Sequence, residues 1–333
     1  MESREIAHRV IHFEDPPRIA ATFPAPYWND FAWGIRRPPI RPENEWHEVG
    51  GGRWERVDMY GSVWGRVDPI SNGEVIRGAL KSLDDADTFE LPDLTVLSHY
   101  EPLIQYWEEN PDKYRVGWLG GFTFSITRYF FTLQDYLMNL ALEPERMGAL
   151  MDRVDDMIEA MILRFAELGA DGVMIFEDWG TQQRLMISPA MWREQFKPRF
   201  RRLCGTIHDA GMTMFMHSCG KMTAIIPDLI EVGVDVFQFD QPRLHGFDVL
   251  NQYAGQVTYW CPVDIQTTLQ TGDIDQVEAD VCAMIEKLGT AHGGFIGGYY
   301  PQPEAINVDP EFQRAASRLF MKHGVYDTAA VEA

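Results

Sequence analysis

From Tyr114 onward, short apolar runs alternate with helical patterns, and that alternation narrows the folds open to this chain. The runs are Arg115–Leu119, Gly172–Phe176, Met212–Met216, Val234–Phe239, Val257–Trp260 and Gly294–Ile296. Runs this short, apolar at successive positions, read as strands buried on both faces. The spacing predicts a helix over Ile274–Leu288, with Asp273 as N-cap, Val277, Val281, Ile285 and Leu288 on one face, and Gly289 as its stop. A second helix starts at Ser188-Pro189, where proline occupies the first helical position. A third covers Glu145–Leu168 and closes at Gly169; a fourth starts at Asp309-Pro310. Buried strands separated by helices imply a parallel sheet. Six strands, joined by N-terminal ones at Arg18–Phe23 and in a pair around Glu55–Val67, approach eight. The expected fold is therefore α/β, a single (β/α)8 TIM barrel. No G-x-G-x-x-G follows a strand, so a dinucleotide fold loses its main support.

A length of 333 residues suits one such barrel. We read residues 1–333 as a single domain, with 1–70 an irregular N-terminal part and 71–333 the barrel body. The irregular part is rich in Pro, Trp and Arg, and Arg36–Glu45 has the composition of an exposed arm. A formal charge of −21 argues against a nucleic-acid partner, because phosphate binding needs a basic surface. Four cysteines, Cys204, Cys219, Cys261 and Cys282, are too few and scattered for a disulfide framework. A reducing, cytoplasmic setting is expected. No signal-peptide core opens the chain, and no apolar run reaches membrane-spanning length.

In a (β/α)8 barrel, chemistry sits at the C-terminal ends of the strands. The polar residues cluster there. His217 and Cys219 follow Met212–Met216, two residues apart and so on one face of a strand. Imidazole and thiolate are zinc ligand types, although an isolated His-x-Cys is more often simple packing. Glu177 and Asp178 follow Gly172–Phe176, one carboxylate pointing inward and the other into the loop. Either could complete a metal site, act as general acid or base, or merely cap the next helix. Asp240 carries the same ambiguity. Cys261 reaches the same rim and is a further ligand candidate or a buried thiol. Trp118, Trp179, Tyr299 and Tyr300 are candidate walls for a flat organic substrate.

The segment from Met216-His-Ser-Cys-Gly-Lys to Ile225-Ile-Pro-Asp-Leu-Ile-Glu-Val-Gly-Val-Asp235 resembles the uroporphyrinogen decarboxylase superfamily, in particular its methyltransferase branch. Glu177-Asp-Trp-Gly-Thr-Gln182 with Ser188-Pro189, and Pro262-Val-Asp-Ile-Gln with Leu269-Gln-Thr-Gly272, carry the same likeness. It runs from about Arg115 to Gly324. The resemblance implies a (β/α)8 barrel and a zinc-dependent methyl transfer between a small methylated substrate, such as an aromatic methyl ether, and a corrinoid held by a separate partner protein. The arginine-rich N-terminal motif of the decarboxylases has no counterpart around Phe23–Trp28.

That branch holds zinc through His-x-Cys and a cysteine on the last barrel strand. His217 and Cys219 match the first two ligands. The last strand, Gly293-Gly-Phe-Ile-Gly-Gly-Tyr-Tyr300, has no cysteine, so the expected replacement comes from Glu177, Cys261, Tyr299, Tyr300 or Glu304. The catalytic residues expected on this reading are Glu177, Asp178, His217 and Tyr300, with Trp118, Trp179, Asp240 and Tyr299 against the substrate. No cobalamin-binding Asp-x-His-x-x-Gly occurs in the chain, and a homodimer is compatible with the reading. Two alternatives remain at this point: a metal-independent decarboxylase or lyase using Asp178, His217 and Tyr300, and a non-catalytic ligand-binding barrel.

Overall fold

Each of the six apolar runs is a strand in a computed structural model, which describes residues 1–326. With two earlier strands they make one eight-stranded sheet: β1 Ala20–Ala21, β2 Phe31–Ile35, β3 Tyr114–Gly120, β4 Gly172–Phe176, β5 Thr213–His217, β6 Val236–Gln238, β7 Thr258–Cys261 and β8 Phe295–Gly297. Strands adjacent in sequence are adjacent in the sheet, except that β1 pairs with β8, and every ladder is parallel. Helices between the strands cover the outside. The helices predicted from Ser188-Pro189, Asp273 and Asp309-Pro310 begin where expected, each with its N-cap side chain bonded to the first turn. The sheet is the predicted TIM barrel. No described helix is long and apolar enough to cross a membrane.

Two N-terminal expectations need correction. The pair around Glu55–Val67 is no part of the barrel. It lies in a separate antiparallel sheet of His47–Gly50, Arg53–Val57, Val63–Arg66 and Glu74–Arg77. Its residues alternate in character, as a sheet with two different faces requires. On one face Arg66 stacks between Trp54 and Trp46, and Arg56 between Trp46 and Trp64, at 4.2–5.5 Å. The eighth barrel strand is instead Phe31–Ile35, which shares no obvious pattern with the other runs. The irregular part therefore contributes β1 and β2 to the barrel, and the small sheet runs past residue 70 to Arg77. Arg36 is buried, so only the segment after it has the character of an exposed arm.

The barrel interior is filled by Phe31, Tyr114, Val116, Met174, Phe215, Val236 and Ile296. Helix α1, Ser3–His12, lays Ile6, Ala7, Val10 and Ile11 against this cluster. Its backbone bonds reach Asp112 and Gly294, just ahead of β3 and β8, so it plugs the N-terminal end. The opposite end stays available for chemistry.

No ladder joins β1 to β2, and a carboxylate closes that gap. Asp30, fully buried, accepts two hydrogen bonds from Arg18 at 2.7 and 2.8 Å and one from the Ala21 amide at 2.9 Å. The Asp30 amide donates to the Ala21 carbonyl at 2.9 Å. Removing one partner of a buried ion pair strands the other charge, which costs about 3–5 kcal/mol. Asp30→Ala should therefore lower unfolding free energy by about 3–5 kcal/mol in urea titrations. Arg18→Met in the same background should recover part of the loss.

Candidate active site

Strand pleating decides which residues meet at the open end. Along β4, Met174 and Phe176 face the barrel axis, whereas Val173 and Ile175 pack under the helices. Continuing that period of two sends Asp178 inward and Glu177 outward. On β5, Phe215 and His217 face inward and Cys219 follows on the same side. On β6, Val236 is followed inward by Gln238 and Asp240.

The three inward residues that carry metal-ligand atoms converge. His217 Nε2 lies 3.2 Å from Cys219 Sγ and 3.6 Å from Asp178 Oδ1. All three ligand atoms lie within 4.8 Å of one another. A tetrahedral zinc with bonds of 2.0–2.3 Å needs its ligands roughly 3.3–3.8 Å apart, so the set fits the ion. The surroundings fit it too. His217 Nδ1 is hydrogen-bonded to Gln238 Oε1, leaving Nε2 to face the cluster. Gln238 Nε2 donates to Asp240 at 2.8 Å, and the Cys219 amide donates to Asp178 at 2.7 Å. Three protein ligands leave one position open, as catalytic rather than structural zinc sites do.

Burial disfavours a charged His217, but its bond to Cys219 and the nearby carboxylates outweigh that and raise it to about 10. Burial raises the Cys219 thiol above its ordinary value despite the pull of His217. Tyr300 is also raised, by burial and then by Asp240 and Cys219. Trp118 packs edge-on to Phe176 at 5.4 Å, and Trp33 stacks on Trp260 at 4.6 Å, forming an aromatic floor below. Gln238, Trp33 and Phe176 were missing from the sequence reading. The signal for Gln238 was a polar residue at an inward position of an otherwise apolar strand, two places before Asp240.

Several expected site residues are elsewhere. Glu177 is fully buried behind β4, where its Oε1 accepts from the amides of Phe122 and Ser125 at the start of helix α2, Thr123–Arg128. It is not among the clustered ligands. Cys261 faces outward into the core and is likewise outside the cluster. Trp179 shares Glu177's outward parity and packs among Phe124, Trp192, Phe196 and Phe200. Tyr299 is half-buried against the outer hydrophobic core. The carboxylate that converges with His217 and Cys219 is thus Asp178.

Burial raises Glu177 to about 8, although the two amides oppose this. Its folded value exceeds its unfolded one, so the folded state holds a proton that the unfolded chain releases at lower pH. The stabilisation is complete below about 4.5 and is lost as pH climbs towards about 8. Glu177→Gln keeps an acceptor for the amides and should flatten this slope. Urea melts at pH 5 and pH 8 should show the variant losing less stability than wild type, by an amount on the order of a few kcal/mol.

The uroporphyrinogen decarboxylase (URO-D) family model matches residues 77–298. No curated protein matches the chain in sequence. Among solved structures, a methyltransferase from Methanosarcina mazei superposes with a TM-score of 0.58 at 15% identity, over 76% of this chain and 72% of that one. A B12-independent methionine synthase from Shewanella sp. W3-18-1 gives 0.41 at 9% identity, over 82% and 75%. The methyltransferase likeness supports the barrel assignment, and the family match takes in β3 to β8 together with the Asp178, His217 and Cys219 cluster. The chain belongs to the uroporphyrinogen decarboxylase family.

Proposed function

We propose that this protein is a zinc-dependent methyltransferase that moves a methyl group between a small methylated substrate and a corrinoid carried by a separate protein. The observation that carries the reading is the convergence of Asp178, His217 and Cys219 at the open end of the barrel. The fold shared with a methyltransferase from Methanosarcina mazei supports it. Asp178, His217 and Cys219 would hold the metal, which when bound supplies Lewis acidity at its open position.

The chain's own residues have distinct tasks in this reading. Gln238 fixes the His217 ring and its tautomer, and Asp240 fixes Gln238. The Cys219 amide orients the Asp178 carboxylate. Trp118, Phe176, Trp33 and Trp260 give the barrel interior beneath the cluster an aromatic face, a surface suited to an organic substrate. Tyr300 presents a phenol that can hold a proton toward the group left behind when the methyl departs. An aromatic methyl ether suits these walls. The corrinoid belongs to a partner docking over the mouth.

A metal-independent lyase is the second reading, favoured by the absence of cysteine from β8 and its extension. Asp178, His217 and Tyr300 would then act as acid–base groups.

Elemental analysis of the purified chain separates the two. About one zinc per chain is expected, lost in Asp178→Ala, His217→Ala and Cys219→Ala and retained in Glu177→Gln and Cys261→Ser. No zinc in folded wild type, or zinc that survives Cys219→Ala, overturns the metal reading. In the methyl-transfer reaction followed by the corrinoid spectrum, Asp240→Asn should lower kcat about 10–100-fold, as outer partners of metal ligands do.

A further inference from the structure

The chain that follows β4 forms a small hairpin, Gly180 to Leu185, before the helix starting at Ser188-Pro189. It lies directly against the chain that follows Cys219. A Cβ on Gly220, whose φ is +76°, would sit 2.0 Å from the Gly180 carbonyl oxygen, and one on Gly180 would sit 2.5 Å from the Lys221 nitrogen. The Lys221 amide donates to Thr181 O at 2.7 Å. Thr181 Oγ1 accepts from the Arg184 amide at 3.2 Å, fixing the far end of the hairpin. These two segments border an open surface pocket of about 520 Å³.

Its lining has an unusual charge. Arg184 and Lys221 both line it, and no Asp or Glu does among the described residues. Neither cation makes a salt bridge among the described residues. The chain carries 50 acidic and 29 basic residues, so two unpaired cations in an acid-free hollow run against its composition. Ser188 and Thr223 add hydroxyls, and Leu185 and Met186 add apolar surface. The Ser188 hydroxyl already accepts from the Met191 amide at 3.1 Å, so its proton remains for a ligand.

We propose that this pocket is a binding site for an organic phosphate monoester. Two monocations match a phosphate dianion in charge, and guanidinium and ammonium are the side chains that bind it best. The Ser188 hydroxyl completes its shell, since that of Thr223 is bonded to His245 Nδ1 at 3.1 Å, and Leu185 and Met186 cover an apolar body. The site shares no residue with the Asp178, His217 and Cys219 cluster. The proposal does not rest on methyl transfer.

The test is calorimetric titration of the purified full-length chain, as it carries its metal, with phenyl phosphate, inorganic phosphate and benzenesulfonate at low ionic strength. Phenyl phosphate should bind most tightly, because it alone offers both the dianion and the apolar body. Arg184→Gln with Lys221→Gln should weaken it about tenfold or more. Arg53→Gln, an exposed arginine on the small sheet, should leave it unchanged. Arg184 and Lys221 are exposed, so an unaltered melting temperature confirms that the double variant folds. Unchanged affinity in the double variant, equal affinity for benzenesulfonate, or no binding of phenyl phosphate would each overturn the proposal.

Discussion

Everything in this molecule hangs on a pleat of period two wrapped around one axis. Eight parallel strands share that axis, so each residue has only two destinations, the barrel interior or the layer beneath the helices. At the end of β4 this choice separates two adjacent carboxylates completely. Asp178 enters the mouth, with its side chain 46% exposed, and meets an imidazole and a thiol. Glu177, its neighbour, is sealed away from solvent and ties the start of α2 to the strand. The same rule admits Trp118 and Trp260 to the interior and assigns Trp179 and Cys261 to the outer core.

That rule also explains what could be read without coordinates. The six later strands were legible because burial on both faces leaves continuous apolar runs, and their ends located His217, Cys219, Asp178 and Asp240 on one rim. The parity of a residue beyond the last apolar one was harder, because it depends on where the strand's pleat persists into the loop. Hence Glu177 was weighed beside Asp178 as a ligand, and Trp179 beside Trp118 as a wall. β2 was obscure for another reason. Its outward face, Ala32 and Gly34, is small because a neighbouring helix packs close: Trp107 bonds the Ala32 carbonyl, and a Cβ on Gly34 would collide with Leu103. Close packing removed the bulky apolar residues that mark the other strands.

The mouth combines an imidazole, a thiol and a carboxylate under a ring of supporting hydrogen bonds. Replacing a thiolate by an oxygen donor makes a zinc site harder and strengthens its preference for oxygen partners. Asp240 holds Gln238, Gln238 holds His217, and the Cys219 amide holds Asp178, so the imidazole and the carboxylate of the cluster each have an anchor outside it or in its backbone. Preorganisation of this kind reduces the reorganisation that a bound ion or substrate would otherwise demand.

The contact between Gly180 and Gly220 has a mechanical consequence. Two backbones touch there with no side chain between them, within two residues of both Asp178 and Cys219. A displacement of one loop must therefore be transmitted to the other, as in two links riveted at a single point. The loops that carry the carboxylate and the thiol are thereby coupled at one point. Exchange of either loop alone for a foreign segment would have to reproduce a glycine at the rivet.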